Sequence, residues 1–277
     1  SPPDNFVASN YSIVFLWEQL DGASDYRIQI VQPSFSNLQQ LLIDTPVVGT
    51  NFTYQLSPGS YQWRINAENG SSSTQSITRN IKVDSNSNLS GQTFLVNSPS
   101  DNYYTQDTVV TFSWNNFPYA TRYNYILTDT NSNILHIKYT SQNIISDTLQ
   151  QGVYLWKVQA IDTINNTSTL YSAPRRISID LAAPGPSTPS TPANNSIDTN
   201  AVTLTWIRPA GVYADSLFVG TDSTFQSPIV ATYLINNTSY ILAPQPINQT
   251  YFWRLRSRDE AGNWSTYSYS FQFYIQQ

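Results

Sequence analysis

Three stretches of seven residues repeat one pattern: Tyr61-Gln-Trp63-Arg-Ile65-Asn-Ala67, Tyr154-Leu-Trp156-Lys-Val158-Gln-Ala160 and Tyr251-Phe-Trp253-Arg-Leu255-Arg-Ser257. The tryptophans lie 93 and 97 residues apart. Aromatic or small apolar residues occupy nearly every second position, which is the period of a β-strand with one buried face. A repeat of this spacing within 277 residues predicts three tandem β-sandwiches, because a two-sheet domain needs about 100 residues.

A second repeated stretch precedes each of these strands: Ile13-Val-Phe-Leu-Trp17, Val110-Thr-Phe-Ser-Trp114 and Val202-Thr-Leu-Thr-Trp206. Its first, third and fifth side chains share one face of a strand. The six tryptophans of the two patterns could form a row of sugar-stacking platforms, but their apolar neighbours favour a place in the core. A third strand begins nine residues after each of these tryptophans, at Tyr26, Tyr123 and Asp215, so an aspartate replaces an aromatic residue in the third repeat.

The domain boundaries follow from a repeated opening motif: Ser1-Pro-Pro-Asp-Asn5, Ser98-Pro-Ser-Asp-Asn102 and Thr191-Pro-Ala-Asn-Asn195. We predict domains at residues 1–84, 85–182 and 183–277. The apolar stretch Phe94-Leu-Val96 precedes the second copy of the motif and predicts a first strand there. The first domain lacks its equivalent, so we expect this strand to be truncated and the gene product to extend upstream. We expect the polar junction Asp84–Gln92 to bend, and the proline-containing junction Ala182–Pro192 to be semi-rigid.

Composition excludes several functional classes. The net charge is −5 and charged residues make up 11%, so neither a nucleic acid nor an anionic membrane is an expected partner. The chain has no cysteine, which excludes disulfides and thiolate chemistry, and no apolar run of membrane-spanning length. We expect an extracellular or cell-surface location and a bacterial source; a lipid or cell-wall anchor would lie outside this chain.

At these residues the chain resembles the fibronectin type III superfamily, whose units have a tryptophan ending strand B and a Tyr-x-x-x-Val-x-Ala strand F. The resemblance covers all three repeats. It implies an all-β fold of three tandem fibronectin type III-like antiparallel sandwiches in an extended array. It also implies a tyrosine corner, in which the hydroxyls of Tyr61, Tyr154 and Tyr251 bond to backbone a few residues upstream. The second tryptophan of each repeat is similar to variants in bacterial surface proteins and polysaccharide-degrading systems.

Catalytic and metal signals are weak. The chain has one histidine, His136, and glutamate only at positions 18, 68 and 260, and its aspartates fall at turns, where they cap backbone groups. We expect no enzymatic activity and no cofactor. The stretches Asp129–Asn133 and Asp84–Asn88 begin like calcium loops but lack the glycine at position six and the acidic residue at position twelve. We expect the first of these stretches to form a hairpin turn and the second to be a linker. The alternative for the second stretch is that bound calcium stiffens the first junction.

The candidate ligand-binding residues lie in the third repeat: Phe252, Arg254, Arg256, Arg258 and Trp264. The first four alternate along the outward side of strand F, and Trp264 follows Gly262-Asn263 in a predicted loop. Two interpretations stay open for each part. The arginine stems could cover aromatic rings on a solvated face, or bind an acidic glycan, a carboxylate or a partner loop. The Trp264 ring could close the end of the core, or present a platform to a ligand.

These patterns predict a non-catalytic extracellular protein that acts as a structural spacer or as an adhesion or glycan-binding module, with a glycan or a surface protein as partner. The alternative is an accessory part of a polysaccharide-degrading enzyme or glycan-uptake lipoprotein.

Overall fold

The computed structural model describes residues 1–199 and 202–276, which form β-strands, turns and loops and contain no helix. They fall into two compact units. One unit comprises residues 1–102, 110–147 and 153–177, and the other comprises residues 103–109, 148–152 and 178–277. The predicted all-β class is confirmed. The three-domain division at residues 84 and 182 stays a prediction.

The first repeat forms a five-stranded sheet in the order β1-β7-β6-β3-β4 and a two-stranded sheet of β2 and β5. Strand β1 is parallel to β7, and the other pairs are antiparallel. Its strands are β1 (Phe6–Ala8), β2 (Ser12–Leu16), β3 (Asp25–Pro33), β4 (Leu38–Val47), β5 (Asn51–Gln55), β6 (Gly59–Glu68) and β7 (Arg79–Val83). We call β1–β7 the first sandwich.

The second repeat, β8–β16, has a three-stranded sheet in the order β13-β10-β8. Its larger sheet has the order β12-β11-β14-β16-β9, with β15 also pairing with β14. Its strands are β8 (Val96–Ser98), β9 (Tyr103–Thr105), β10 (Val109–Trp114), β11 (Arg122–Asp129), β12 (Ile134–Thr140), β13 (Ile144–Thr148), β14 (Gly152–Asp162), β15 (Thr167–Ser168) and β16 (Arg175–Ile179). We call β8–β16 the second sandwich.

The third repeat, β17–β25, has the same arrangement: β17-β19-β22 in one sheet and β18-β25-β23-β20-β21 in the other, with β24 pairing with β23. Its strands are β17 (Thr188–Thr191), β18 (Ser196–Asp198), β19 (Val202–Ile207), β20 (Ala214–Gly220), β21 (Val230–Ile235), β22 (Ser239–Leu242), β23 (Gln249–Arg258), β24 (Trp264–Tyr267) and β25 (Phe271–Ile275). We call β17–β25 the third sandwich.

The alternating residues of the repeated strands fill the cores as predicted. In β2, Ile13 and Phe15 are buried, whereas Val14 and Leu16 are exposed. Five of the six patterned tryptophans are buried: Trp63, Trp114, Trp156, Trp206 and Trp253. Trp17 is the exception, because it is only half-buried. The core assignment is therefore confirmed for the five, and Trp17 marks a place where the first sandwich is less well covered.

The tyrosine corner implied by the family resemblance is present in the first and third sandwiches. The Tyr61 hydroxyl donates to the Ser57 carbonyl over 2.7 Å, and the Tyr251 hydroxyl donates to the Pro246 carbonyl over 2.8 Å. Such bonds satisfy a hydroxyl that would otherwise be buried without a partner. The equivalent bond of Tyr154 stays a prediction.

The repeated opening motif ties the beginning of each sandwich to its last strand. The Asp4 carboxylate accepts the backbone N–H of Asn80 at 2.7 Å, and the Asp101 carboxylate accepts that of Arg176 at 2.7 Å. The side-chain oxygen of Asn194 accepts the equivalent N–H of Gln272 at 3.0 Å. The asparagine that follows each of these residues has a positive φ, which asparagine tolerates well. The motif is thus a structural clip.

The junction Asp84–Gln92 is packed, which corrects the expectation that it bends. The Tyr11 hydroxyl accepts the Asn86 N–H at 2.8 Å and donates to the Asn86 carbonyl at 2.7 Å. Leu89 and Gln92 are buried. Polarity suggested a solvated linker, but a buried tyrosine with both hydrogen-bonding roles fulfilled fixes this segment.

Asp215 occupies the position of Tyr26 and Tyr123 and is fully buried. Its carboxylate accepts hydrogen bonds from four side chains at 2.6–2.7 Å: Trp206 Nε1, Arg208 Nε, Ser187 Oγ and Ser257 Oγ. Arg208 also donates to the carbonyls of Leu234 and Asn237. A buried carboxylate needs such partners because desolvation of the charge is costly. The aspartate in the third repeat is therefore the centre of a structural network.

Candidate functional site

The outward side of β23 carries the predicted arginines. Phe252, Arg254, Arg256 and Arg258 are half-buried, and the residues between them are buried. This alternation follows from the period of the strand, in which neighbouring side chains point to opposite faces. The four side chains therefore share one sheet face.

Trp264 begins strand β24, which corrects its placement in a loop. The preceding turn is closed by Asp259, whose carboxylate accepts the backbone N–H groups of Gly262 and Asn263 at 2.7 and 2.8 Å. Gly262 has φ +104°, a conformation that favours glycine. The turn pairs Trp264 with Arg258, and an irregularity in the register then pairs Tyr267 with Arg256. The indole is therefore a side chain of the sheet face and does not close the core.

The arginines stack on aromatic rings to form what we call the arginine ladder: Arg254, Arg256, Arg258, Phe225, Trp264 and Tyr267. Arg254 Cζ lies 3.8 Å from the Tyr267 ring centroid and 4.3 Å from that of Phe225. Arg256 Cζ lies 4.1 Å from the Trp264 ring and 5.6 Å from the Tyr267 ring. Arg258 Cζ is 5.9 Å from the Trp264 ring. These distances are within the range of cation–π attraction.

Two further rings support the ladder from the neighbouring strands. Tyr233 of β21 meets Trp264 edge-on at 5.9 Å between centroids, and Phe218 of β20 meets Tyr267 edge-on at 5.6 Å. Arg258 also donates to the Tyr233 hydroxyl at 3.5 Å and to the Gly262 carbonyl at 3.4 Å. The guanidinium groups are thus held by rings and turn atoms that come from three separate segments.

Phe252 lies on the same face but outside the ladder. It is paired with Gly220 of β20 and with Gln272 of β25. Within residues 1–199 and 202–276, its ring has no aromatic or cationic stacking partner. The structure therefore brings four of the five predicted residues together and leaves the fifth at the end of the row.

Two serines that sequence reasoning missed hold β24 against β23. The Ser265 hydroxyl accepts the Ser257 N–H at 2.8 Å, and the Ser268 hydroxyl accepts the Leu255 N–H at 3.0 Å. In the second sandwich, Thr169 and Ser172 accept the N–H groups of Ala160 and Val158 in the same way. In both repeats, two hydroxyl residues lie three positions apart after the strand with the Tyr-x-Trp pattern, and this spacing is the sequence signal that could have located these contacts. These hydroxyls replace backbone carbonyls where the register is irregular.

The ladder carries positive charge that no carboxylate neutralises within the described part of the chain, since none of its arginines forms an ion pair there. The Nε atoms of Arg254 and Arg256 are buried and have no hydrogen-bond partner among the described residues. The ring faces therefore offset part of the desolvation of the two guanidinium groups. The face combines three cations with exposed aromatic edges.

In each of the other two sandwiches, one cation of the corresponding strand stacks on a ring. In β6, Arg64 Cζ lies 4.1 Å from the Phe35 ring, and in β14, Lys157 Nζ lies 4.7 Å from the Tyr171 ring. Arg64 and Lys157 occupy the same place in the repeat as Arg254. The extended ladder is therefore a property of the third sandwich.

We expect Arg254→Met to lower the local free energy of unfolding of the third sandwich by about 1–2 kcal/mol, because it removes one desolvated cation from two rings. The matched variant Arg64→Met removes a cation from one ring and should cost about 0.5–1 kcal/mol. Amide hydrogen exchange of β23 and β6 measures the two losses separately. Equal losses would contradict a special contribution of the ladder.

A second charged cluster closes one edge of the second sandwich. Asp147 of β13 is buried. Its carboxylate accepts hydrogen bonds from Lys138 Nζ at 2.6 Å and from His136 Nδ1 at 2.7 Å, both in β12. Burial alone would raise the pKa of the Asp147 carboxyl, but the hydrogen bonds from Lys138 and His136 outweigh burial and hold this pKa below its ordinary value. The cluster is an ionic clip between strands of the two sheets.

The depressed pKa of Asp147 predicts an acid-dependent loss of stability. Its contribution should be complete above about pH 4, the ordinary pKa of aspartate, and should disappear as the pH falls through the folded-state value. Denaturant unfolding of the wild type and of Asp147→Asn, between about pH 2 and pH 6, should show a stability difference that shrinks toward low pH. A difference that stays constant over this range would contradict the assignment.

The calcium-like stretch that begins at Asp129 forms the predicted hairpin turn between β11 and β12. Asp129 accepts the backbone N–H groups of Asn131 and Asn133 at 2.9 and 2.8 Å, as a turn residue does. The hydrogen bond from the Asn133 side chain, together with these backbone N–H groups, holds the pKa of Asp129 below its usual range. Across residues 1–199 and 202–276, no three histidine, aspartate or glutamate side chains gather as metal ligands would.

Comparison with known proteins finds structural similarity only. No family model and no curated protein matches the sequence. Among solved structures, the chain is similar to the FN1–FN3 domains of chicken CNTN1, with 14% identity, a TM-score of 0.46 and full coverage of both chains. It is also similar to the fibronectin(III)-like modules of Clostridium thermocellum CbhA, with 12% identity and a TM-score of 0.43 over 66% of this chain and 94% of that chain.

The chain folds as tandem β-sandwiches. The repeated sheet order by itself shows this arrangement. In the first and third repeats, the strand after the opening motif runs parallel to the last strand. The all-β class and the tandem β-sandwiches that the sequence resemblance implied are confirmed. The described part of the chain contains no helix of the length and hydropathy needed to span a bilayer.

Proposed function

We propose that this chain is a non-catalytic extracellular module that binds an acidic glycan on the arginine ladder. The observation that supports the proposal is the set of three arginines without an ion-pair partner among the described residues, on one face of a protein whose net charge is −5. A bacterial source and attachment to the cell surface belong to the same proposal.

The ladder offers an acidic glycan two kinds of contact. The edges of the guanidinium groups can donate to carboxylate or sulfate oxygens, which arginine binds well because its donors form a planar fork. Aromatic edges lie beside these donors: Tyr233 and Tyr267 are 41% and 40% exposed. Aromatic surfaces with a few oriented polar groups are typical of ligand sites.

Calorimetric titration with a uronate oligosaccharide tests the proposal, with a neutral oligosaccharide of the same length as the ligand control. The uronate should bind, with an affinity that falls as salt is added. Arg254→Gln should weaken binding by about tenfold or more, whereas Arg64→Gln, at the same place of the first sandwich, should leave it unchanged. Equal binding of the neutral oligosaccharide, or equal loss in both variants, would overturn the proposal.

The second candidate is a structural spacer. Two hydrogen bonds to the 259–263 turn of the third sandwich favour it. Asn263 Nδ2 donates to the Asp180 carbonyl at 2.8 Å, and Gln106 N donates to the Ala261 carbonyl at 3.2 Å. These bonds hold residues 106 and 180, which precede the third sandwich in sequence, against its 259–263 turn. A spacer predicts that uronate and neutral oligosaccharides both fail to bind.

A further inference from the structure

The third sandwich has a cleft beside the arginine ladder. Its volume is about 450 Å³, which lies within the range of about 300–1,000 Å³ that is typical of ligand sites. One wall comes from β17 and the two residues before it, and the other comes from β24, the start of β25 and the segment between them. Three aromatic residues line the cleft, together with two prolines and four serines or threonines. Its aromatic residues are Tyr267, Tyr269 and Phe271.

A difference between the second and third repeats accounts for the cleft. In the second sandwich, Arg175 begins the last strand and donates to three carbonyls of the 96–99 segment at 2.6–2.8 Å. These bonds join the last strand, β16, to β8, which is the counterpart of β17. Phe271 has the place of Arg175 at the start of β25, and its ring meets Trp253 edge-on at 6.1 Å between centroids. Because a phenylalanine ring has no hydrogen-bond donor, it cannot bridge β25 to β17 as the arginine does in the second sandwich.

Tyr269 has an exposed side chain on a backbone that is held in place. The residue is 91% exposed. The Ser268 hydroxyl donates to the Tyr269 carbonyl at 2.9 Å and accepts the Leu255 N–H at 3.0 Å. The second sandwich has Ala173 at this position, so the ring is a feature of the third repeat. A tyrosine on an anchored backbone offers a large contact surface with few torsions to immobilise, which suits stacking on a ligand.

The chemistry of the cleft differs from that of the ladder. Among the described residues that line the cleft, none is charged. Thr188 and Thr266, one on each wall, are exposed. Their hydroxyls can both donate and accept hydrogen bonds. Hydroxyl groups beside aromatic rings match an uncharged sugar, which presents hydroxyls around its rim and C–H groups on its faces.

Tyr267 belongs to both the ladder and the cleft. Its ring centroid lies 3.8 Å from Arg254 Cζ, and it lines the cleft two residues before Tyr269. Two residues span at most about 7 Å, so neighbouring units of one glycan can reach both places. Given the acidic-glycan function proposed above, we propose that the cleft binds an uncharged sugar unit next to the acidic unit on the ladder. The ligand is therefore a mixed polysaccharide, whose neutral unit stacks on Tyr269 and bonds to Thr188 and Thr266.

Calorimetric titration of the whole chain with two trisaccharides tests the cleft. One trisaccharide has three glucuronate units, and the mixed one has one glucuronate and two glucose units. Tyr269→Ala should lower the affinity for the mixed trisaccharide by about tenfold and leave that for the glucuronate trisaccharide unchanged, because a carboxylate is costly to desolvate in an uncharged cleft. Arg254→Gln should weaken the binding of both. The amide resonances of residues 266–270 should shift with the mixed trisaccharide alone.

The control variant is Tyr139→Ala, which removes another exposed tyrosine that stacks with a cation, since Arg122 Cζ lies 4.8 Å from its ring centroid. It should change neither affinity. Tyr269→Ala should retain the fold, because the side chain that it removes is exposed. If the glucuronate trisaccharide binds but Tyr269→Ala lowers neither affinity, or lowers both equally, the cleft proposal is overturned and the ladder proposal stands. If neither trisaccharide binds the wild type, both proposals are overturned.

Discussion

Asp215→Ala is expected to lower the free energy of unfolding of the third sandwich by about 3–5 kcal/mol, the usual cost of leaving a buried charge without its partner. The variant removes the acceptor of four side-chain hydrogen bonds and leaves Arg208, whose side chain is 15% exposed, without its carboxylate. Urea unfolding followed by the hydrogen exchange of β20 amides measures the loss.

The control for Asp215→Ala is Asp44→Ala, which breaks the Arg27–Asp44 pair on the first sandwich. Because those side chains are 48% and 23% exposed and water screens their charges, the loss should be clearly smaller than that in Asp215→Ala. A double variant, Arg208→Met with Asp215→Leu, should be less destabilised than Asp215→Ala because no charge is left unpaired. A loss in Asp215→Ala as small as that in Asp44→Ala would show that the network does not stabilise the fold.

Trp253→Ala is expected to cost about 3–5 kcal/mol, the range for removing a large aromatic side chain from a core. Trp253 is fully buried and meets Phe271 edge-on at 6.1 Å between centroids. Its removal leaves a cavity that the neighbouring strands cannot close without losing their register.

The neighbouring residue Phe252 provides the control for Trp253→Ala, since it lies on the opposite face of the same strand and is half-buried. Phe252→Ala should cost clearly less, because little cavity is created at a position already open to water. Thermal unfolding monitored by circular dichroism, together with exchange of the β23 amides, compares the two variants. Equal costs would mean that the alternation does not separate core from surface.

The candidate site could be predicted in part. Period-two alternation placed Arg254, Arg256 and Arg258 on one face, since that depends only on the geometry of a single strand. It could not show that Trp264 lies in a strand, because β24 forms through an irregular register held by Ser265 and Ser268. Cross-strand neighbours depend on register, and one residue of slip moves a side chain to the other face.

Sequence composition also gave a wrong prediction for a segment whose backbone is held by a tertiary contact. The segment Asp84–Gln92 has the composition of a solvated linker, yet the Tyr11 hydroxyl bonds to both backbone groups of Asn86. Tyr11 is 75 residues away from Asn86, so no local pattern could indicate the contact. Similarly, Trp17 has the apolar neighbours of a core residue, but it is only half-buried.

The sequence by itself determined the repeat, the strand faces and the positions of five core tryptophans, because these follow from the covalent alternation of side chains and the spacing of similar segments. Tertiary structure alone decided the four partners of Asp215 and the stacking of the arginine ladder. These features join residues from separate strands, whose distances are set by register and sheet packing.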